Sequence, residues 1–249
     1  MFAMNILSFL YYLREYFFPY GCGSCDEALL TAEDAKYGLC EKCRATFDSA
    51  FAEGKRCDFC GRHLISENDV CLLCRKNGKV EKGRYSDKFV KLHILFPYAG
   101  KFKRVIRAYK FSNSIGVGNF LVRFYPMALT NIGLLTSDNT AWVPIPPRSG
   151  KLRKQGWDQI EFLARQLETT QRQKVCRCLK RLPSRSQKEL SRDERASNLK
   201  GRILCVKPPP RTAILFDDVI TTGATLDACA KALLDGGSEK VYGVCLFYD

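Results

Sequence analysis

Eight cysteines between residues 22 and 74 fall into four C-x-x-C pairs, Cys22/Cys25, Cys40/Cys43, Cys57/Cys60 and Cys71/Cys74, with 14, 13 and 10 residues between successive pairs. Two thiolates two residues apart grip one metal from one turn, and two such turns complete the tetrahedron of a closed Zn²⁺ site. A disulfide framework is the alternative reading. It needs a secretory route, and a total of 13 cysteines leaves an odd thiol. The spacing therefore predicts two zinc ions with all eight thiolates as ligands, both structural, because no position is left open for water. Short closing loops favour pairing in chain order, as two consecutive ribbons; a cross-braced arrangement would interleave the pairs. Gly61, directly after Cys60, suits a turn residue of positive φ, and His63 reads as a surface side chain.

A chain of 249 residues suits one larger domain plus a smaller module, and 46% hydrophobic with 27% charged residues excludes bulk disorder and a multi-spanning membrane protein. The net charge of +14 is not spread evenly. Residues 84–130 carry +8 and residues 148–202 carry +10, while the remainder is close to neutral or slightly acidic. Positive charge confined to two segments suggests that they face an anion, either the phosphates of a small ligand or a nucleic-acid backbone.

Residues 1–20 are apolar only as far as Leu13, too short to cross a bilayer, and lack a basic leader and a small-residue cleavage site. They read as an amphipathic helix. The thiols that zinc requires point to the cytoplasm. A polar run RKNGKVEKG reads as a linker, and KFVKLHILFPY as a strand. The segment YAGKFKRVIRAYKF then places Phe102, Val105, Ile106 and Tyr109 on one helical face, with Lys101, Lys103, Arg104, Arg107 and Lys110 supplying the positive charge. That helix is either an ordinary core helix with a solvated face or a nucleic-acid face on which Phe102, Tyr109 and Phe111 stack bases. Phe120–Leu129 offers a further apolar helical stripe.

From residue 140 the chain alternates strand-like and helical runs: AWVPIPP, a helix face of Trp157, Ile160, Leu163, Ala164 and Leu167, a basic passage from Arg181 to Arg202, the strand TAILF, a helix over Ala224–Leu234, and the strand VYGVCLF. This order implies an α/β fold with a parallel sheet, whose ligands bind at the carboxyl ends of the strands. One such end reads Asp217-Asp218-Val-Ile-Thr221-Thr222-Gly223-Ala224-Thr225. Backbone N–H groups and threonine hydroxyls at a helix start favour a phosphate. The two carboxylates would repel that phosphate but accept hydrogen bonds from a vicinal diol or hold a hydrated Mg²⁺. A diol and a phosphate one turn apart describe a ribose 5-phosphate.

LFDDVITTGAT resembles the phosphoribosyl-pyrophosphate (PRPP) motif of type I phosphoribosyltransferases, and the wider chain resembles the ComF family of competence-associated proteins. The resemblance runs through the cysteine knuckles, YAGKFKRVIRAYKF, VPIPPR, KLRKQGWDQ, LKRLPSRSQKELSRDERASNLKG and the PRPP motif. Where the family usually has Gly-Phe-Asn-Gln, this chain has Gly156-Trp157-Asp158-Gln159. The resemblance implies an amphipathic helix over 1–20, a double zinc ribbon over 21–80 and a type I phosphoribosyltransferase-like α/β domain over 81–249.

It also implies roles. Asp217 and Asp218 would hold the ribose hydroxyls of PRPP; Thr221, Thr222, Gly223, Ala224 and Thr225 would hold its 5-phosphate. Pro147 and Arg148 would approach the pyrophosphate with Mg²⁺ bridging, and Arg181, Gln187, Arg195 and Asn198 would belong to a loop closing over it. Two functions follow. One is Mg²⁺-dependent phosphoribosyl transfer to an acceptor, with no general base required because the leaving pyrophosphate is stabilised electrostatically. The other is a non-catalytic accessory that handles single-stranded DNA beside a competence helicase in DNA uptake.

Overall fold

The computed structural model describes residues 21–52, 54–76, 88–112, 114–131, 133–134, 139–147, 157–183 and 201–249. The expected helix over 1–20 lies outside them, as does most of the linker. In chain order the elements are α1 (Ala32–Tyr37), α2 (Glu41–Ala52), α3 (Leu72–Lys76), β1 (Lys91–Pro97), α4 (Gly100–Phe111), α5 (Ile115–Leu121), α6 (Phe124–Asn131), β2 (Thr140–Pro144), α7 (Gln159–Thr169), β3 (Leu179–Arg181), β4 (Ile203–Cys205), β5 (Thr212–Ile220), α8 (Ala224–Asp235) and β6 (Lys240–Tyr248). The chain divides into two compact units, residues 1–50 with 99–120 and residues 51–98 with 121–249.

The first unit joins the first pair of cysteine knuckles to α4 and α5. Its α1 starts with a capping box: the Asp34 amide donates to Thr31 Oγ1 at 3.0 Å, and the Asp34 carboxylate accepts from the Thr31 amide at 3.1 Å. Arg44 of α2 donates to the same carboxylate at 2.6 Å and to the Leu39 carbonyl at 3.0 Å. Burial alone would raise the Asp34 pKa, but these donors outweigh it and hold the group below the ordinary carboxylate value. Phe47 packs edge-on against Phe102 and Phe120, with ring centres 4.7 and 5.4 Å apart, over buried Val105, Ile106, Tyr109 and Val117. Gly116 is required here, since a Cβ would lie 2.8 Å from the Gly38 nitrogen.

The second unit is α/β. Its sheet has the order β1-β6-β5-β2 with every neighbouring pair parallel. Near-continuous burial along β1, β5 and β6 matches the apolar runs read from the sequence and means that both sheet faces are covered. Helix α7 buries Ile160, Leu163, Ala164 and Leu167, as its periodicity predicts, and Asp158 caps it by accepting from the amides of Ile160 and Glu161, both at 3.0 Å.

Three features differ from the sequence reading. The apolar stripe after residue 120 is split, with α6 restarting at Phe124; Pro126 is tolerated in its first turn, where no N–H is needed. Strand β5 runs four residues beyond TAILF, because pairing with β6 continues through Asp217 opposite Cys245 to Ile220 opposite Tyr248. The ends of the basic passage form an antiparallel pair, β3 with β4, in the register Leu179↔Cys205 and Arg181↔Ile203.

Candidate functional site

The cysteines assemble as two tetrads in chain order, Cys22/Cys25/Cys40/Cys43 and Cys57/Cys60/Cys71/Cys74, with the ligand atoms of each within 4.8 Å of one another. The sulfurs of Cys25 and Cys40 are 3.6 Å apart in the first, and those of Cys60 and Cys71 3.7 Å apart in the second. A tetrahedron with Zn–S bonds of about 2.3 Å has sulfur–sulfur edges of about 3.8 Å, so both tetrads have the dimensions of a zinc site.

The knuckles repeat one design. The Cys22 amide donates to the Glu27 carbonyl and the Cys57 amide to the Arg62 carbonyl, each at 2.8 Å. The residue after the second cysteine has positive φ in both, 63° at Asp26 and 69° at Gly61. A backbone amide reaches a ligand sulfur in each tetrad, Cys40 N to Cys22 Sγ and Cys71 N to Cys57 Sγ, both at 3.4 Å. His63 is not a member of either tetrad. Burial pushes the Cys43 thiol up to about 12, and hydrogen bonding to Cys57 pushes Cys74 up to about 12. Thiols packed this closely ionise together only around a divalent cation. The residues present thus fit two structural zinc ions.

A second site stands at the carboxyl edge of the sheet. Strand β2 pairs with β5 as far as Pro144 opposite Phe216, and the Ile145 amide donates to the Phe216 carbonyl at 3.2 Å. Beyond that point β5 carries Asp217, half-buried, and Asp218, 7% exposed. Asp217 Oδ1 accepts from the Asp218 amide at 2.8 Å, and the Asp217 carbonyl accepts from the Tyr125 hydroxyl at 2.9 Å. Thr221 is exposed, and Thr222 Oγ1 accepts from the Ala224 amide at 3.3 Å. Gly223, the N-cap of α8, has φ 80° and brings no capping side chain of its own, and the helix begins at Ala224 with Thr225 next. First-turn N–H groups of a helix have no intrahelical partner, so this turn offers donors to an anion beside two carboxylates.

Of the residues expected around a pyrophosphate, Pro147 is exposed just after β2, and Arg181 ends β3 in a buried position. Arg148, Gln187, Arg195 and Asn198 lie outside the described residues. The acidic pair also acts on two core thiols: burial raises Cys229 and Cys245 well above the ordinary thiol value, and the charge of Asp217 raises both further. Tyr125 was not legible as a site residue, since it sits in an apolar run like any core aromatic.

In the first unit, Gly100, Lys103, Arg104, Arg107 and Phe111 of α4 line a groove of about 420 Å³ together with Gly23, Ser24 and Asp26 of the first knuckle. Lys101 is exposed and Lys110 half-buried on the same helix, neither lining the groove. The aromatic residues divide: Tyr109 is fully buried, Phe102 packs on Phe47, and Phe111 is 75% exposed. Base stacking by Tyr109 is therefore ruled out, because its ring belongs to the core.

Residues 13–80 match the family described as double zinc ribbon domain. The chain is 28% identical over 233 residues to competence protein F of Haemophilus influenzae, covering 90% of this chain and 95% of that protein. It is 27% identical over 225 residues to the DNA utilization protein YhgH of Escherichia coli K12, covering 84% and 96%. It is also 25% identical over 206 residues to competence protein ComFC of Streptococcus pneumoniae, covering 82% and 84%.

Fold and site together define a double-zinc-ribbon protein whose ribbons accompany a parallel α/β sheet. Over most of its length the chain is similar in sequence to relatives named for competence and DNA utilization. These matches support a protein of the ComF type. Among the described residues, no helix is long and apolar enough to cross a membrane.

Proposed function

We propose that the protein binds PRPP with Mg²⁺ at the turn between β5 and α8 and transfers its phosphoribosyl group to an acceptor. One observation carries this reading: Asp217 and Asp218 lie at the end of a parallel strand, two residues before a Thr-Gly turn with Gly223 at positive φ that opens α8. Carboxylates suit the ribose diol and the hydrated cation, and Thr221, Thr222, Gly223, Ala224 and Thr225 suit the 5-phosphate. Mg²⁺ supplies charge neutralisation on the pyrophosphate; the chain's own acidic pair orients the ribose. Pro147, Arg148, Arg181, Gln187, Arg195 and Asn198 are the candidates to meet the pyrophosphate, and the arginines among them would favour its departure. Calorimetric titration tests the assignment: the intact protein should bind Mg²⁺–PRPP, and Asp217→Asn with Asp218→Asn should abolish binding. Unchanged affinity in that double variant would sink it. Pyrophosphate release in a screen of nucleophiles identifies the acceptor.

A second reading has its own support in the basic groove of the first unit and in relatives named for competence and DNA utilization. In it, the protein handles single-stranded DNA in the cytoplasm beside a competence helicase. Lys103, Arg104 and Arg107 track phosphates, Lys101 and Lys110 extend the positive face, and Phe111 is placed to stack a base. Lys103→Glu with Arg107→Glu should weaken single-stranded DNA binding and flatten its log–log salt dependence by about 1.4, since each phosphate contact contributes about 0.7. An unaltered salt slope rejects the groove as the DNA face.

A further inference from the structure

Five cysteines stand outside the zinc tetrads, and three of them meet at one place in the second unit. Cys178 precedes β3 and is fully buried, while Cys176 and Cys205 are half-buried beside it in the same apolar cluster. Cys178 and Cys205 stand one position apart across the strand pair, with Leu179 the register partner of Cys205 and the Val206 amide donating to the Cys178 carbonyl at 2.8 Å; both thiols border α8, Cys205 beside Gly236 and Cys178 beside Cys229. The two outer sulfurs lie along one short turn, Cys205 Sγ 3.1 Å from the Lys207 carbonyl and Cys176 Sγ 4.0 Å from the Pro208 carbonyl. Among the described residues the only groups of three or more metal-ligating side chains with all ligand atoms within 4.8 Å are the two zinc tetrads, so this trio is not a third metal site.

We infer that Cys178 and Cys205 form a thiol pair oxidised to a disulfide by hydrogen peroxide, fastening β3 to β4. Cys205, the more accessible sulfur, attacks: its thiolate takes one peroxide oxygen to become a sulfenic acid, releasing hydroxide. The Cys178 thiol then displaces water from that sulfenic acid. In net terms two thiols and one peroxide give one disulfide and two waters. The order of attack follows from environment. Burial raises the Cys178 thiol above its ordinary value, with Cys176 and Cys205 adding to the effect, so it resolves and does not initiate. Cys176 is excluded as its partner because residues i and i+2 of an extended chain hold their Cα atoms near or beyond the limit of about 6.8 Å for a disulfide, whereas Cys205 lies across the strand pair.

The test uses the full, zinc-loaded chain and hydrogen peroxide. Thiol counting should show two thiols lost per chain before zinc reaches a chromogenic chelator, and peptide mapping should find Cys178 linked to Cys205, reversibly with dithiothreitol. Cys205→Ser should remove the link and Cys176→Ser should keep it. Cys178→Ala, a small core change, should leave Cys205 as a sulfenic acid that dimedone labels. Zinc release ahead of any oxidation in this trio, a free Cys178 after oxidation, a Cys176 link, or an unlabelled Cys205 in Cys178→Ala would each overturn the assignment.

Discussion

Tyr125 is fully buried between Trp142 and Phe216, with ring centres 5.7 and 5.1 Å away, and its hydroxyl donates to the carbonyl of Asp217. An aromatic residue from α6 thus holds the backbone of the first acidic residue from inside the core. Tyr125→Phe keeps the ring packing and removes one donor, which should cost about 1–3 kcal/mol of stability in urea unfolding. It should also weaken Mg²⁺–PRPP binding while Asp217 and Asp218 remain intact. His93 is a second buried group with a measurable signature. Among the described residues neither ring nitrogen has a hydrogen-bond partner, and burial, then the charges of Arg56 and Lys91, push its pKa down to about 3. Below pH 6.5 the unfolded chain binds a proton that the folded chain does not, so stability falls as pH drops from about 6.5 towards 3, by up to about 1.4 kcal/mol per pH unit. His93→Leu should flatten that slope between pH 6.5 and 5 in excess zinc; an unchanged slope assigns the acid sensitivity to other groups.

Elements were legible where composition and period agree. The parallel strands, α4 and α7 follow from apolar runs and helical spacing, and the tetrads follow from C-x-x-C spacing alone. What spacing leaves open is pairing, and the structure resolves it as consecutive. Three-residue strands such as β3 and β4 carry no period to detect, and β5 extends through Asp217 and Asp218 only because β6 is there to pair with it. On α4 the core and solvent faces could be assigned from the sequence, but not which aromatics remain outside: Tyr109 is fully buried and Phe111 exposed. The departure Asp158 shows how an element can retain its function after substitution. Asp and Asn are equivalent helix N-caps, so Asp158→Asn should leave thermal stability nearly unchanged, whereas Asp158→Ala should cost about 1 kcal/mol by stranding the amides of Ile160 and Glu161.

At the scale of the whole molecule, the chain enters and leaves each unit more than once, and the two tetrads end up in different units: Cys22, Cys25, Cys40 and Cys43 in one, Cys57, Cys60, Cys71 and Cys74 in the other. The double ribbon is continuous in sequence yet serves two bodies, the first tetrad beside the basic groove and the second beside the parallel sheet. Because no ligand is shared between tetrads, the two zinc ions should be lost independently. Cys40→Ser should lower zinc content from two per chain to one while the sheet-bearing unit keeps its cooperative unfolding; Cys60→Ser should also remove one zinc but destabilise the unit that carries Asp217 and Asp218. Each protein would then separate the two functional readings by metal alone. Loss of the first zinc should reduce single-stranded DNA binding and spare Mg²⁺–PRPP binding, and loss of the second should do the reverse. Metal analysis paired with the two binding assays checks this, and loss of both zinc ions from either single variant would show that the tetrads are coupled and the division into units does not govern metal binding.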